Sequence, residues 1–144
     1  MKANIRILVV EDDAPSLELV VYLLHESGYT VVSATNGKTG VEVAQRQRPD
    51  LIICDINLPK LDGYGVIRSL KEDKALKDIP VVAVTALAMV GDRSKILSAG
   101  FDGYITKPIE PETFVREVTC FLPADQRPDE NQDGAIKAEA SSKT

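Results

Sequence analysis

Residues 51–59 read LIICDINLP. Leu51 to Cys54 have the length and apolar character of a strand running through a core, and the next residue is Asp55. A carboxylate at the end of a buried strand is costly unless something compensates its charge. Working outward, further apolar runs of strand length recur: IRILVV (5–10), TVVSA (30–34), PVVAV (80–84) and GYITK (103–107). Several are nearly continuous in Val, Ile and Leu, the pattern of parallel strands covered on both faces.

Helical patterns lie between these runs. Leu17, Val20, Val21 and Leu24 recur at helical spacing, with Pro15 near the first turn and Gly28 past the end. Val41 and Ala44 mark a weaker helix that opens after Asn36-Gly37 and stops before Pro49. Val66, Ile67 and Leu70 form a third face, Ile96 with Leu97 a fourth, and Phe114, Val118 and Phe121 a fifth that starts at Pro111. Strand then helix, repeated along the chain, predicts an α/β domain with a parallel sheet and right-handed crossovers. The strands are too few for an eight-stranded barrel. An open doubly wound sheet is expected, with its site at the carboxyl ends of the strands.

The chain has 144 residues, 44% hydrophobic and 27% charged, which suits one globular domain over 1–122. Residues 123–144 mix charges with almost no large apolar side chain, which predicts a disordered polar tail. A net charge of −5 argues against a general nucleic-acid binder. No apolar run approaches the roughly 20 residues of a membrane span, and MKANIRILVVEDD is not a signal peptide. A cytoplasmic location is expected. Cys54 and Cys120 each sit in an apolar run, so both are expected in the core.

The strand ends collect chemistry. The first ends in Glu11, Asp12 and Asp13, the third in Asp55 with Asn57 two residues on, the fourth in Thr85, the fifth in Lys107. Each has a plain explanation alone: carboxylates and a threonine cap helices, an Asp turns the chain, a lysine is solvated. A parallel sheet would instead bring all of them to one edge. Two carboxylates about 4 Å apart repel by about 4 kcal/mol at an effective dielectric near 20. They stay ionised together only around a cation, and hard oxygen donors suit Mg²⁺. An Asp beside Mg²⁺, a lysine and a hydroxyl is equipped to attack a phosphoryl group.

VVEDD, CDINLPKLDG, VTALA and TKPIEP, in this order, resemble the receiver domain of two-component response regulators over about residues 4–122. The stretch IPVVAVTALAMVGDRSKILSAGFDGYITKPI resembles stand-alone receivers of the DivK type and receivers of hybrid histidine kinases. The resemblance implies a five-stranded sheet in the order 2-1-3-4-5. It implies that Asp55 accepts a phosphoryl group from a histidine kinase or a histidine phosphotransfer protein. Asp12 would hold Mg²⁺ directly and Glu11 through water, with Asp55 and the backbone carbonyl of Asn57 completing the protein ligands. Lys107 would pair with the phosphoryl group, and Pro108 resembles the family's cis-proline. Asp62-Gly63 would end the loop and start helix three, while Asp13 is expected to cap helix one.

The resemblance implies signalling by a two-state shift, in which Thr85 would move toward the phosphoryl group and Tyr104 would turn inward. The readout face would be helix four, strand five and helix five, offered to a downstream protein partner by a monomer or a phosphorylation-dependent dimer. An apolar Leu87 offers nothing to orient an attacking water, so a long-lived phosphoform is expected. The pattern argues against rivals. A haloacid-dehalogenase-type phosphatase would need a second Asp where Asn57 stands, and a nucleotide-binding module would not open its first loop with the acidic EDDAPS. An interaction scaffold without phosphorylation would not need the full residue set. His25, the sole histidine, is expected to be a solvated helix residue.

Overall fold

In a computed structural model, described for residues 4–86 and 90–123, five strands and five helices alternate along the chain. The strands are β1 (Arg6–Val10), β2 (Thr30–Ala34), β3 (Leu51–Asp55), β4 (Val81–Thr85) and β5 (Gly103–Thr106). The helices are α1 (Ala14–Glu26), α2 (Gly37–Gln47), α3 (Gly63–Glu72), α4 (Val90–Ala99) and α5 (Pro111–Thr119). All strand pairings are parallel, in the order β2-β1-β3-β4-β5. The sheet is thus the doubly wound one expected from the alternation. The 123–144 tail and the Leu87 expectation fall outside the described residues, apart from Pro123.

Period-two alternation sorts the strand side chains onto two covered faces. On one face Leu8, Val10, Ile52, Cys54, Val81 and Ala83 pack with residues of α2, α3 and α4. On the other, Ile7, Val9, Leu51, Ile53, Val82, Val84 and Ile105 meet Val20 and Leu24 of α1 and Phe114 and Val118 of α5. Every residue of β3 and β4 is buried, which explains why both read as continuous apolar runs.

Short polar signals set the helix starts. The Asp13 carboxylate accepts from the Ser16 amide, Asn36 Oδ1 from Thr39 and Asp62 Oδ1 from Gly65. Each satisfies an amide that the first helical turn leaves without a partner. Gly28 takes φ +94° just beyond α1, where a Cβ would be strained.

Boundaries and faces shift in places. Asp55 and Thr85 belong to their strands, whereas Ile5, Pro80 and Lys107 lie just outside them. Phe121 follows α5 and does not line it, although it packs beside the same core. Cys120 is exposed, not in the core. It sits two residues beyond buried Val118 in a chain still helical there, about 200° around the axis and facing water. Leu97 is 50% exposed while Ile96 is 1% exposed, because one residue along a helix turns the side chain by about 100°. Cys54 is buried as expected, and desolvation pushes its thiol pKa far up.

Candidate functional site at the carboxyl edge of the sheet

Parallel strands share a direction, so the residues after β1, β3, β4 and β5 meet at one edge. β1 and β3 are neighbours in register, with Val10 opposite Cys54, which brings Glu11 level with Asp55. The Glu11 amide extends the ladder on the other side by donating to Ala34 at 3.0 Å. The Ile56 amide donates to the Val84 carbonyl at 3.1 Å and the Lys107 amide to the Thr85 carbonyl at 2.9 Å. Backbone pairing therefore fixes all four strand ends relative to one another.

The side chains converge accordingly. Lys107 Nζ lies 3.0 Å from Asp55 Oδ2 and 3.0 Å from Glu11 Oε1. Glu11 is 4% exposed and Asp55 5%, so both carboxylates are out of bulk water. The backbone supplies further donors: the Asp13 amide to Glu11 Oε2 at 3.1 Å and the Asn57 amide to Asp55 Oδ1 at 3.2 Å. Asp12 is exposed at the rim, and one carboxylate oxygen each of Glu11, Asp12 and Asp55 lies within 4.8 Å of the others. Of the expected residues, Glu11, Asp12, Asp55, Asn57 and Lys107 are thus brought together. Asn57 itself is exposed and enters through its backbone.

The electrostatics follow from crowding. Burial pushes the Glu11 carboxyl above the ordinary carboxylate range, and Asp55 adds to this against the pull of the Asp13 amide and the Lys107 ammonium. For Lys107, burial pulls the ammonium down. Hydrogen bonds and charge from Glu11 and Asp55 outweigh it and hold the group above the usual lysine value. Among the described residues, three carboxylates against one ammonium leave surplus negative charge at the pocket. The donor set is all oxygen, from two strand ends, with Asp12 open to water. That chemistry fits a small hard cation such as Mg²⁺ and does not fit a thiophilic one.

Thr85 ends β4 at this edge, and Tyr104 lies further back on β5, opposite Ala83. Thr85 is 3% exposed at the last position of β4. Tyr104, on β5, is half-buried against the α2–α3–α4 side of the core, and the Arg93 guanidinium of α4 stands 5.9 Å over its ring. Tyr104 pairs with Ala83 and Thr85 with Thr106, so strand alternation puts Thr85 and Tyr104 on the same face of the sheet. The Lys107–Pro108 peptide is cis. His25 is exposed, as expected.

Two features escaped the sequence reading. Lys107 bridges both Glu11 and Asp55, which no local pattern announces. The loop after Asp55 rests on α2 through Gly37, where the Asn36-Gly37 pair signalled only the opening of a helix.

The fold and the acidic pocket define a doubly wound α/β domain with its charged site at the strand ends. Residues 7–119 match the family model of the response regulator receiver domain, and the chain belongs to that family. It is 40% identical over 116 residues to the polar-differentiation response regulator DivK of Brucella anthropi, covering 81% of this chain and 94% of that protein. The DivK of Brucella abortus is 38% identical over the same shares. Among solved structures, the chemotaxis response regulator CheY4 of Vibrio cholerae superposes with a TM-score of 0.79 at 26% identity, covering 83% of this chain and 99% of that one. The receiver domain of a sensor histidine kinase from Pseudomonas aeruginosa, with a magnesium ion coordinated in its active site cleft, gives 0.76 at 34% identity, covering 83% and 98%. Among the described residues no helix is long and apolar enough to cross a membrane.

Proposed function

We propose that this receiver domain takes a phosphoryl group onto Asp55 from the phosphohistidine of a histidine kinase or histidine phosphotransfer protein, and that the transfer resets a protein-binding face. The observation that carries the reading is the contact of Lys107 with both Asp55 and Glu11 in an acidic pocket that Asp12 leaves open to water.

An Asp55 carboxylate oxygen attacks phosphorus, and an acyl phosphate O–P bond forms as the N–P bond of the donor breaks. The electron pair of that bond returns to the imidazole. The Lys107 ammonium then faces the phosphoryl oxygens and offsets their charge. The Asn57 amide, which donates to Asp55 Oδ1, orients the carboxylate for attack. Asp12, Glu11, Asp55 and the Asn57 carbonyl are the groups that would hold Mg²⁺, with Asp12 bound directly and Glu11 through water. When bound, the ion neutralises the developing negative charge.

A phosphoryl group adds charge and three strong acceptor oxygens. Thr85, buried at the next strand end, is the hydroxyl placed to answer it, and Tyr104 on the same sheet face follows by moving inward. The surface of α4, β5 and α5 reports the change, and Leu97 is an exposed apolar side chain on it. A partner reading that surface must bind the two states with different affinity, since only differential binding couples it to phosphorylation.

Intact mass after incubation with acetyl phosphate tests the reading. One phosphoryl adduct that requires both Mg²⁺ and an unaltered Asp55 is expected. An adduct that survives in Asp55→Asn would place the acceptor elsewhere.

A further inference from the structure

Between Asp55 and α3 the chain makes a turn that is unusual for residues other than glycine. Lys60 has φ +69°, and the Leu61 amide donates back to the Pro59 carbonyl at 2.7 Å. A three-residue turn with a positive central φ is the rare, strained hand of the γ-turn and persists only where its surroundings hold it. The turn begins two residues after Asn57. The Gly63 amide anchors the far end of the loop by donating to the Ile56 carbonyl at 2.7 Å.

What holds the turn is the first residue of α2. The Gly37 amide points at the same Pro59 carbonyl, at 3.4 Å. A Cβ on Gly37 would collide with the Leu61 carbonyl oxygen and come within 2.7 Å of its carbon. From α3, a Cβ on Gly65 would run into the Leu61 side chain, 2.8 Å from Cγ. Leu61 is thus clasped between two bare Cα atoms. Gly37 has no positive φ to explain its identity, and alanine is the better helix former. The missing side chain is explained by the loop.

We infer that Gly37 is a positioning residue for the pocket: by letting α2 touch Leu61 it braces the strained 59–61 turn, and so holds the Asn57 backbone beside Asp55. The inference rests on the reading of Asp55 and Asn57 given above. It ties the β2–α2 turn, which contributes no group of its own, to cation affinity at the site.

The test compares the full chain with Gly37→Ala and Gly40→Ala by calorimetric titration of Mg²⁺ and by amide hydrogen exchange, with folding checked by urea. Gly40 is the control, because its Cβ would press Val10 at 2.9 Å and not the loop. Gly37→Ala is expected to weaken Mg²⁺ binding by about tenfold, as loss of an outer-shell support does, and to speed exchange at Asn57 and Leu61. Gly40→Ala should do neither, whatever it does to the urea midpoint. Wild-type affinity and exchange in Gly37→Ala, or equal losses in both variants, would overturn the inference. If Gly37→Ala does not fold, Gly65→Ala, which pushes the same leucine from α3, carries the same expectation. A wild-type chain that binds no Mg²⁺ would instead sink the reading of the site, a result distinct from a brace that fails.

Discussion

Lys107 Nζ stands 3.0 Å from Asp55 Oδ2, across a pocket where the second carboxylate, Glu11, is the same distance away. One ammonium thus keeps two buried carboxylates from facing each other uncompensated. Replacing Lys107 by Ala should lower stability in metal-free buffer by about 1–3 kcal/mol, the cost of stripping a charged hydrogen-bond partner. Mg²⁺ should recover more stability in the variant than in the wild type, because the cation no longer competes with the lysine. Urea unfolding with and without MgCl₂ reads both effects, and identical curves would contradict the role assigned to the ammonium.

Thr85 is expected to matter for the response and not for acceptance. Thr85→Ala should still gain one phosphoryl group by intact mass. The phosphorylation-dependent shift of the Tyr104 amide resonance should be lost or much reduced. A full shift in the variant would remove Thr85 from the switch.

Asp13 caps α1, and its hydrogen bonds with the Ser16 hydroxyl and amide hold its carboxyl below the ordinary aspartate value. The ionised form is therefore the one the fold favours. Its contribution to stability is complete above the unfolded pKa and disappears as pH falls through the lower folded value. Asp13→Ala should melt below the wild type at pH 7, and the gap should close in strong acid. A gap unchanged with pH would mean that the cap acts without its charge.

Ile96 and Leu97 are adjacent but not equivalent. Ile96→Ala should cost about 2–5 kcal/mol, as a buried aliphatic truncation does. Leu97→Ala should stay within about 0.5 kcal/mol of wild type. Denaturant titration separates the two, and a large loss at Leu97 would show that α4 is rotated from the position described.

The cysteines differ in the same way. Native protein treated with iodoacetamide should be modified at exposed Cys120 and spared at buried Cys54, whose thiol desolvation holds protonated. Peptide mapping before and after unfolding in urea checks it. Modification of Cys54 in the native state would indicate local opening around the central strand β3.

Much of this protein is legible in its sequence. Buried parallel strands announce themselves as short Val- and Ile-rich runs, and caps such as Asp13, Asn36 and Asp62 are local hydrogen bonds with local signals. Because parallel strands end together, the acids at the ends of β1 and β3 and the lysine after β5 could be assigned to one edge by order alone. Tertiary structure decided what depends on contacts between distant segments. It set which way Leu97 and Cys120 face, since an amphipathic face is defined by what packs against it and not by the run it sits in. It showed that Lys107 bridges Glu11 as well as Asp55, a matter of side-chain reach across two strands. It also showed that Gly37 lacks a side chain because Leu61, far along the chain, occupies the space a Cβ would fill.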